Sequence, residues 1–402
     1  MPSDIIKINL PASKSLTQRY LIMTALAASP SFLSFPSYCA DSQDLLQALT
    51  KLGTVFKKQA VGIEIYPGKL KFPLQPVFCR DGATTARFLA AFSLLKLEPL
   101  SLTGSLQLKA RPMEELFNLL EEAGVQVDTP EKAGCLPCRL HKTRAVPARF
   151  EVDCSRSSQF LSALLLVASQ FENPVTFFWS NPVSEAYIKM TLGVMAEFSV
   201  VFQSVPGGVK VFPGSYPGKE ITNEPDLSLY PFALLAQEFS SVPVEIRWNN
   251  QPFQQHWSRF KQEDKIFKSW YYQLCTGRKE FNLKATPDLF PPLLLAGIVK
   301  KRQLCLQGVS HLRYKESNRG LVLARELARF GIELKIRGDS IELVNPDFNP
   351  GKNIQVDPAA DHRLAMFFAI FSLVYPGKIT IANKECTEKS WPGFWEEMRK
   401  LN

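Results

Sequence analysis

The sequence predicts an α/β protein with mixed sheets, built from six copies of one βαβαββ unit. A short polar segment followed by an apolar helix of three or more turns occurs six times in 402 residues, or about 67 residues per copy. In each copy, a β-rich stretch, a second amphipathic helix and a short strand pair follow the first helix. The hydrophobic content of 46% and the charged content of 21% are typical of a globular protein with a sizeable core.

The first helix of each copy begins after a segment rich in Ser, Asp and Thr, which are good N-cap residues. The predicted first helices cover residues 19–28, 87–95, 160–168, 230–237, 290–300 and 364–374. Helix N-termini carry free N–H groups and partial positive charge, so they can bind anions. Lys14, Arg87, Arg363 and Lys389 lie at such starts. Each start alone is explained as a plain cap, but together they indicate a phosphorylated or carboxylated ligand.

The second helix of each copy is predicted from apolar residues spaced at i, i+3, i+4 and i+7. The predicted second helices cover residues 41–52, 111–123, 184–198, 252–260, 315–330 and 388–401. Gly53, Gly124 and Gly331 end three of them. Strands are predicted at 175–179 and 378–382, and a closing strand pair at 333–336 with 340–344.

Charge and composition exclude several classes of function. The net charge is +9, but the basic residues are dispersed, which argues against nucleic acid and leaves anionic metabolites open. The longest apolar stretches, 289–299 and 364–374, have 11 residues each, whereas a membrane span needs about 20. Residues 1–15 show no signal-peptide pattern. Eight scattered cysteines indicate reduced thiols in a cytoplasm, and a single Cys135-x-x-Cys138 pair is a weak metal signal.

Eight motifs then occur in order across nearly the full length. They are PASKSLTQR (11–19), DGATTAR (81–87), KARPM (109–113), SSQFLSALL (157–165), SEAYI (184–188), YKESNR (314–319), DHRLAM (361–366) and CTEKSWP (386–392). Each is weak alone, but the ordered set is specific. Together they resemble the 5-enolpyruvylshikimate-3-phosphate (EPSP) synthase family.

The resemblance implies the two-domain enolpyruvyl transferase fold, an inverse α/β barrel with three βαβαββ units around a pseudo-threefold axis in each domain. It implies one domain of residues 1–11 plus 226–402 and another of 12–225, with hinges near 12 and 225 and the active site in the interdomain cleft. It also implies a monomeric cytoplasmic enzyme of the shikimate pathway, which makes aromatic amino acids, with small-molecule substrates, no cofactor, no metal, no nucleic acid and no membrane.

The implied reaction moves the enolpyruvyl group of phosphoenolpyruvate to the 5-hydroxyl of shikimate 3-phosphate and releases phosphate through a tetrahedral intermediate. By resemblance, the catalytic residues are Lys14, Asp288 as the base at the hydroxyl, and Glu316 as the acid/base at the methylene carbon. The residues implied to bind shikimate 3-phosphate are Lys14, Ser15, Arg19, Ser157, Ser158, Gln159, Ser184, Asp288, His311 and Lys315. Those implied to bind phosphoenolpyruvate are Lys14, Ala83, Arg111, Gln159, Arg319, Arg363 and Lys389.

The chain departs from the family pattern at several positions. Ala83 stands where the family usually has Gly in the phosphoenolpyruvate pocket, and a methyl group there narrows a site that only Gly leaves fully open. Family knowledge links a larger residue at this position to tolerance of the inhibitor glyphosate, so we expect weak inhibition. The fourth and fifth copies differ more: residues 249–274 lack the usual Gly-Asp signature, and Pro291-Pro292 replace small residues.

Two other functions stay open on the sequence alone. One is the sister enolpyruvyl transferase that acts on UDP-N-acetylglucosamine, although residues 14–19 and 157–159 favour shikimate 3-phosphate. The other is a divergent, non-catalytic relative that binds an anionic ligand, which the altered fourth and fifth copies suggest.

Overall fold

The computed structural model describes residues 5–253, 259–349 and 351–401. The chain divides into two compact units, Ala12–Glu224 and Met1–Pro11 with Pro225–Asn402. We call them the central unit and the terminal unit. Each unit has its own hydrophobic core. Strands and helices alternate along both, so the predicted α/β class is confirmed.

The described residues form 21 strands. They are β1 (Ile6–Asn9), β2 (Ser31–Ser34), β3 (Val55–Lys58), β4 (Gly62–Tyr66), β5 (Val77–Phe78), β6 (Leu100–Thr103), β7 (Val125–Asp128), β8 (Cys138–Lys142), β9 (Arg149–Asp153), β10 (Val175–Ser180), β11 (Phe202–Val205), β12 (Gly208–Val211), β13 (Glu220–Thr222), β14 (Val244–Trp248), β15 (Gln251–Pro252), β16 (Glu280–Asn282), β17 (Leu304–Gln307), β18 (Glu333–Arg337), β19 (Ser340–Asn345), β20 (Ile354–Val356) and β21 (Ile379–Ile381).

The same residues form 13 α-helices, together with short 3₁₀ turns that are named below where they matter. The helices are α1 (Lys14–Ala25), α2 (Ala40–Lys51), α3 (Ala83–Ala91), α4 (Leu106–Lys109), α5 (Glu114–Glu122), α6 (Gln159–Val167), α7 (Glu185–Glu197), α8 (Tyr230–Phe239), α9 (Phe267–Cys275), α10 (Phe290–Val299), α11 (Arg319–Ala328), α12 (His362–Phe371) and α13 (Phe394–Arg399).

Three four-stranded sheets of one design form the central unit. Their strand orders are β13-β2-β4-β3, β5-β6-β8-β7 and β11-β12-β10-β9. In each sheet the first two strands of the copy run parallel, and a hairpin adds two antiparallel strands. The second and third copies run continuously along the chain as βαβαββ, whereas the first copy takes β13, at the end of the unit, as its first strand.

The terminal unit repeats the design with shorter sheets in the residues that the structure describes. One sheet has the full order β16-β17-β19-β18. The other two are β1-β14-β15, in which β1 and β14 run parallel, and the parallel pair β20-β21. The N-terminal strand β1 therefore belongs to the terminal unit, because it joins the sheet of the fourth copy.

The first helix of each copy lies inside its unit. All ten residues of α12, nine of the ten of α10 and eight of the nine of α6 are buried. Their sequences are apolar on every side, which is the pattern of a helix without a solvent face. The second helices bury one stripe only, as α5 does with Leu116, Phe117, Leu119 and Leu120. Polar residues at the starts of these helices contact one another within each unit, as Arg363 does with Asp288 and Arg87 with Gln159.

Three predicted helices differ from the structure. The helix predicted at 388–401 begins only at Phe394, and the chain before it forms the 3₁₀ turn Lys384–Lys389. The helix predicted at 315–330 begins only at Arg319, because the side chain of Asn318 accepts from the N–H of Leu321 and caps it there. Lys315 and Glu316 therefore lie in the turn before α11. The helix predicted at 252–260 is wrong where the chain is described, since Pro252 belongs to β15 and the second helix of this copy is α9.

The sequence predicted that its longest apolar stretches are too short to span a membrane. Among the described residues, no helix is both long enough and apolar enough to cross a lipid bilayer.

Candidate active site

Lys14 opens α1 and faces a carboxylate of the following helix. The hydroxyl of Ser13 accepts from the backbone N–H of Leu16 at 3.4 Å and caps α1, which sets Lys14 and Ser15 in its first turn. The Lys14 Nζ lies 3.0 Å from Asp41 Oδ2, and the two side chains are 15% and 6% exposed. Asp41, in the first turn of α2, thus holds the ammonium group in place. Sequence reasoning missed this partner, because it lies 27 residues away.

Arg19 is a buried cation held by neutral acceptors. Its Nε donates to Thr191 Oγ1 at 2.8 Å, its Nη1 to the Ser15 carbonyl at 2.9 Å and its Nη2 to the Tyr187 carbonyl at 3.3 Å. Burial lowers the pKa of Arg19 to about 10, so the group remains charged at neutral pH. Within the described residues no carboxylate pairs with Arg19. A buried cation of this kind gains most from an anionic ligand.

The serines predicted to bind phosphate lie at the starts of α6 and α7. Ser158 precedes α6 and Ser184 precedes α7, and both are buried. The structure gives neither hydroxyl a capping bond to its own helix. Ser157 accepts from the backbone N–H of Gln159 at 3.2 Å. Two helix N-termini bordered by hydroxyl groups are a suitable environment for a phosphate group.

Arg87 joins three of the predicted segments. Its Nη1 donates to Gln159 Oε1 at 2.6 Å, and its Nη2 donates to the Pro112 carbonyl at 3.1 Å. Its guanidinium also lies 4.9 Å from the ring centroid of Phe160. The motif of α3, the start of α6 and the turn that carries the half-buried Arg111 are thereby brought together. The sequence singled out Arg87 as a helix-start cation without assigning it this role.

Ala83 is the first residue of α3 and is 4% exposed. Gly82 is the residue before it, where an added Cβ would lie 2.9 Å from Thr85 Oγ1. The same Thr85 hydroxyl donates to the Asp41 carbonyl and accepts from Gln18 Nε2, both at 3.4 Å. The start of α3 therefore contacts α1 and α2 through Thr85, and the methyl group of Ala83 is buried two residues before this contact.

In the terminal unit, Arg319 is the centre of a buried charge cluster. Its Nη1 lies 2.8 Å from Asp288 Oδ1, its Nε lies 2.8 Å from Asp361 Oδ2, and its Nη2 lies 3.1 Å from Glu316 Oε2. Arg319 and Asp361 are 1% and 0% exposed. Although burial disfavours its charge, the carboxylates of Asp361, Asp288 and Glu316 raise the pKa of Arg319 above its ordinary value. The guanidinium is permanently charged and fixes three carboxylates from three segments of the chain.

Arg363 binds the second oxygen of Asp288. Its Nη2 lies 3.1 Å from Asp288 Oδ2. Its Nη1 donates to the Ser228 carbonyl at 2.9 Å, and its Nη2 donates to the Ser228 hydroxyl at 2.8 Å. The Ser228 hydroxyl in turn donates to Asp226. Asp288 thus lies between two arginines, and a residue of the divergent fourth copy helps to orient one of them.

Asp361 caps α12 and reaches Arg319 at the same time. Its Oδ1 accepts from the backbone N–H of Arg363 at 3.0 Å. Arg363 and Asp361 do not form a surface ion pair, because they are only 4% and 0% exposed. The Asp361 carboxylate is one of the functional groups that sequence reasoning did not assign.

Three further predicted residues surround the same cluster. Lys389 Nζ lies 3.7 Å from Glu316 Oε1, so Glu316 lies between two cations. Burial lowers the pKa of Lys315. Burial, followed by the charge of Lys315, lowers the pKa of His311 to about 3. His311 is therefore a neutral imidazole at physiological pH, able to donate from one nitrogen and accept at the other.

The fourth copy contributes residues that the sequence missed. Gln262 Oε1 accepts from the backbone N–H of Leu227 at 3.1 Å, and its Nε2 donates to the Pro225 carbonyl at 2.7 Å. Asp264, two residues later, is 3% exposed and interacts electrostatically with Asp288. Glu263, and not Gly, precedes Asp264, so this segment lacks the Gly-Asp signature of the family.

The environment of the cysteine pair is unfavourable for thiolate chemistry at Cys138. Cys135 and Cys138 are both buried free thiols, and burial raises the pKa of Cys138 to about 12. Thiols bind metal as thiolates, which this environment disfavours. In the described parts of the chain, no group of three or more His, Cys, Asp or Glu side chains is placed to hold a metal ion.

Each unit therefore presents a distinct set of groups. The central unit offers helix N-termini, hydroxyls and cations, which suit an anion with a phosphate and a carboxylate. The terminal unit offers two carboxylates, Asp288 and Glu316, held in fixed positions by arginine and lysine. Carboxylates fixed in this way are suited to general acid/base work on a bound substrate.

The sequence matches one protein family over almost its whole length. The matching family is described as EPSP synthase (3-phosphoshikimate 1-carboxyvinyltransferase), and the match covers residues 6–247 and 251–398. A 3-phosphoshikimate 1-carboxyvinyltransferase of Methanoregula boonei is 30% identical over 424 residues, which is 98% of this chain and 97% of that protein. One of Methanospirillum hungatei is 31% identical over 97% of this chain and 94% of that protein.

Solved structures agree on the fold. EPSP synthase of Acinetobacter baumannii superposes with a TM-score of 0.76 at 20% identity, covering 100% of this chain and 97% of that chain. The enolpyruvyl transferase NikO of Streptomyces tendae superposes with a TM-score of 0.74 at 13% identity, covering 100% and 95%. The predicted two-domain enolpyruvyl transferase fold is confirmed.

Proposed function

Since the chain belongs to the EPSP synthase family, we propose that it transfers the enolpyruvyl group of phosphoenolpyruvate to the 5-hydroxyl of shikimate 3-phosphate and releases phosphate. The observation that carries the proposal is the buried cluster around Arg319, in which Asp288, Glu316 and Asp361 are fixed by one guanidinium. Burying several charges is costly, and carboxylates fixed beside cations are suited to acid/base work on a bound substrate.

The reaction requires one group that accepts a proton and one that donates a proton. The 5-hydroxyl loses its proton as its oxygen adds to the substituted vinyl carbon, and the methylene carbon gains a proton. The tetrahedral intermediate then loses phosphate, and its methyl carbon returns a proton. In our proposal Asp288 takes the hydroxyl proton, while Glu316, between Arg319 and Lys389, exchanges the proton at carbon.

The substrates bring two phosphates and two carboxylates together, and their mutual repulsion must be offset by cations. We assign Lys14, Ser15, Arg19, Ser157, Ser158, Gln159, Ser184, His311 and Lys315 to shikimate 3-phosphate. We assign Lys14, Ala83, Arg111, Gln159, Arg319, Arg363 and Lys389 to phosphoenolpyruvate. Arg363 is bound to Asp288 here. An incoming carboxylate would replace that contact and release one Asp288 oxygen to act as the base.

The test of this proposal is phosphate release by the purified protein with phosphoenolpyruvate and shikimate 3-phosphate. Turnover with this acceptor, and none with UDP-N-acetylglucosamine, is the expected result. Turnover only with the UDP-sugar would assign the chain to the sister reaction. Calorimetric binding of shikimate 3-phosphate without phosphate release would instead identify a non-catalytic ligand-binding protein. Light scattering of the purified protein measures its molar mass, and we expect that of a monomer.

Glyphosate inhibition gives a second expected outcome, based on Ala83. Ala83 is buried at the start of α3, so its methyl group, which glycine would lack, has little room to move aside. One methyl group in a tight pocket changes discrimination by about 10–200-fold. We therefore expect the Ala83→Gly variant to need at least about tenfold less glyphosate for half-maximal inhibition than the parent enzyme.

Ala90→Gly in the same helix, at a buried position remote from the helix start, is the matched control, and it should leave the inhibition unchanged. Equal glyphosate sensitivity in the parent and Ala83→Gly proteins would contradict the assignment of Ala83 to this pocket.

A further inference from the structure

Asp264 is a buried acid that the proposed mechanism does not use. It lies in the 3₁₀ turn Glu263–Ile266 and is 3% exposed. Its Oδ1 is buried and has no hydrogen-bond partner among the described residues. A buried carboxylate with an unsatisfied oxygen is costly, whereas the protonated acid is far less so. The position therefore favours the neutral form.

The surroundings of Asp264 lead to the same conclusion. Burial, as the largest cause, together with the charges of Asp288 and Asp226 raises the pKa of Asp264 to about 7, while the charge of Arg363 acts in the opposite direction. These three charged groups come from the 3₁₀ turn Pro287–Leu289, the segment before α8, and α12. Asp264 thus lies within electrostatic reach of two carboxylates, Asp288 and Asp226, and of the Arg363 guanidinium.

The turn that carries Asp264 is held in place. Gln262 binds both a backbone N–H and a carbonyl near the start of the fourth copy, at Leu227 and Pro225. The neighbouring Lys265 donates to the Phe260 carbonyl at 2.7 Å and not to the Asp264 carboxylate. The position of Asp264 against the cluster is consequently fixed on both sides.

We propose that Asp264 is a positioning residue, which as a neutral acid keeps Asp288 ionised and leaves Arg363 able to exchange Asp288 for an anionic substrate. This inference rests on the proposed function. When Asp264 ionises, a third carboxylate acts on Arg363 and Asp288. The added negative charge disfavours both the ionised base and the incoming anion. Binding of phosphoenolpyruvate should therefore weaken as Asp264 loses its proton.

The kinetic test compares wild-type protein with Asp264→Asn, which keeps the shape and the polarity of the neutral acid. If the anion binds only while Asp264 is protonated, the wild-type KM for phosphoenolpyruvate rises by about tenfold between pH 6 and pH 8. In Asp264→Asn it should rise by less than about threefold, because only the titration of the substrate and of other groups remains. The same rise in both proteins would overturn the proposal.

A second readout needs no substrate. Infrared difference spectra should show the stretch of a protonated carboxyl at pH 6 that disappears with a midpoint of about 7 and is missing in Asp264→Asn. Asp44, in the central unit, has a pKa raised to about 6 mainly by burial and gives a similar band. Asp44→Asn removes that band and isolates the one from Asp264, even if Asp264→Asn fails to fold.

The two readouts separate the inference from the proposed function. A protonated carboxyl with no turnover at any pH would disprove the proposed function, and with it the positioning role. Turnover in a protein whose Asp264 is ionised at pH 6 would disprove the positioning role alone.

Discussion

Replacing Glu316 by glutamine is expected to lower kcat by about 100- to 10,000-fold, the usual contribution of a general acid/base. Glutamine keeps an oxygen that can accept from Arg319 Nη2, now 3.1 Å from Glu316 Oε2, so the cluster should keep its geometry. What it loses is the group that can give and take a proton. The measurement is steady-state phosphate release, with KM for both substrates, at pH 7.

The KM values separate the proposed role from a structural one. A lost proton-transfer group lowers kcat with little change in KM, whereas a displaced cluster raises KM as well. Glu326→Gln is the matched control, because Glu326 is also a buried glutamate, but it pairs with the exposed Arg325 and Arg329. Equal loss of kcat in the two variants, or full activity in Glu316→Gln, would contradict the proposed role.

The sequence predicted those features of the fold that depend on neighbouring residues. The N-caps illustrate this, since Ser13 and Asp361 each accept from an N–H of the helix that follows. The inner helices were recognisable because they are apolar on all sides. The alternation of these helices with strands makes the βαβαββ repeat recognisable in the order of residues alone.

The wrong helix predictions arise where the same local sequence pattern is compatible with two backbone conformations. The residues before α11 have a helical pattern, but Asn318 caps the helix and leaves Lys315 in an extended conformation. In the fourth copy, Pro252 pairs with Arg247 across an antiparallel strand pair, so the chain cannot enter the predicted helix there. The strand pairing of Pro252 is a tertiary contact that a sequence window does not contain. The Asn318 cap is a local signal, which the longer helical pattern concealed.

The contacts within the charge cluster are the part of the candidate site that could not be predicted from the sequence. Resemblance pointed to Asp288, Glu316 and Arg319 one at a time. That Arg319 binds three carboxylates depends on bringing together residues 31 and 42 positions apart. The role of Asp264 was hidden for the same reason, because its environment is made by three other segments. The ion pairs of Arg319 and the electrostatic environment of Asp264 arise only when the chain folds, so no single motif reveals them.

The cluster also makes stability and activity depend on one side chain. Replacing Arg319 by methionine should lower the free energy of unfolding by about 3–5 kcal/mol, because it leaves buried carboxylates without their cation. Asp361, which is fully buried, suffers most. Activity should fall as well, since Asp288 and Glu316 lose the group that fixes them. Urea unfolding at pH 7 and phosphate release measure the two effects.

Arg325→Met in the same helix is the control, because this arginine is 60% exposed and its ion pair should contribute at most about 1 kcal/mol.

The stability deficit of Arg319→Met should depend on pH with a definite sign. Without Arg319, the buried carboxylates take raised pKa values in the folded protein, so the stability deficit of the variant should grow as pH rises from about 4 through those values. Arg319→Lys restores one charge but not the three-way contact, and it should recover only part of the stability. A deficit that shrinks as pH rises, or one that Arg325→Met reproduces, would show that the guanidinium does not hold these carboxylates in their ionised form.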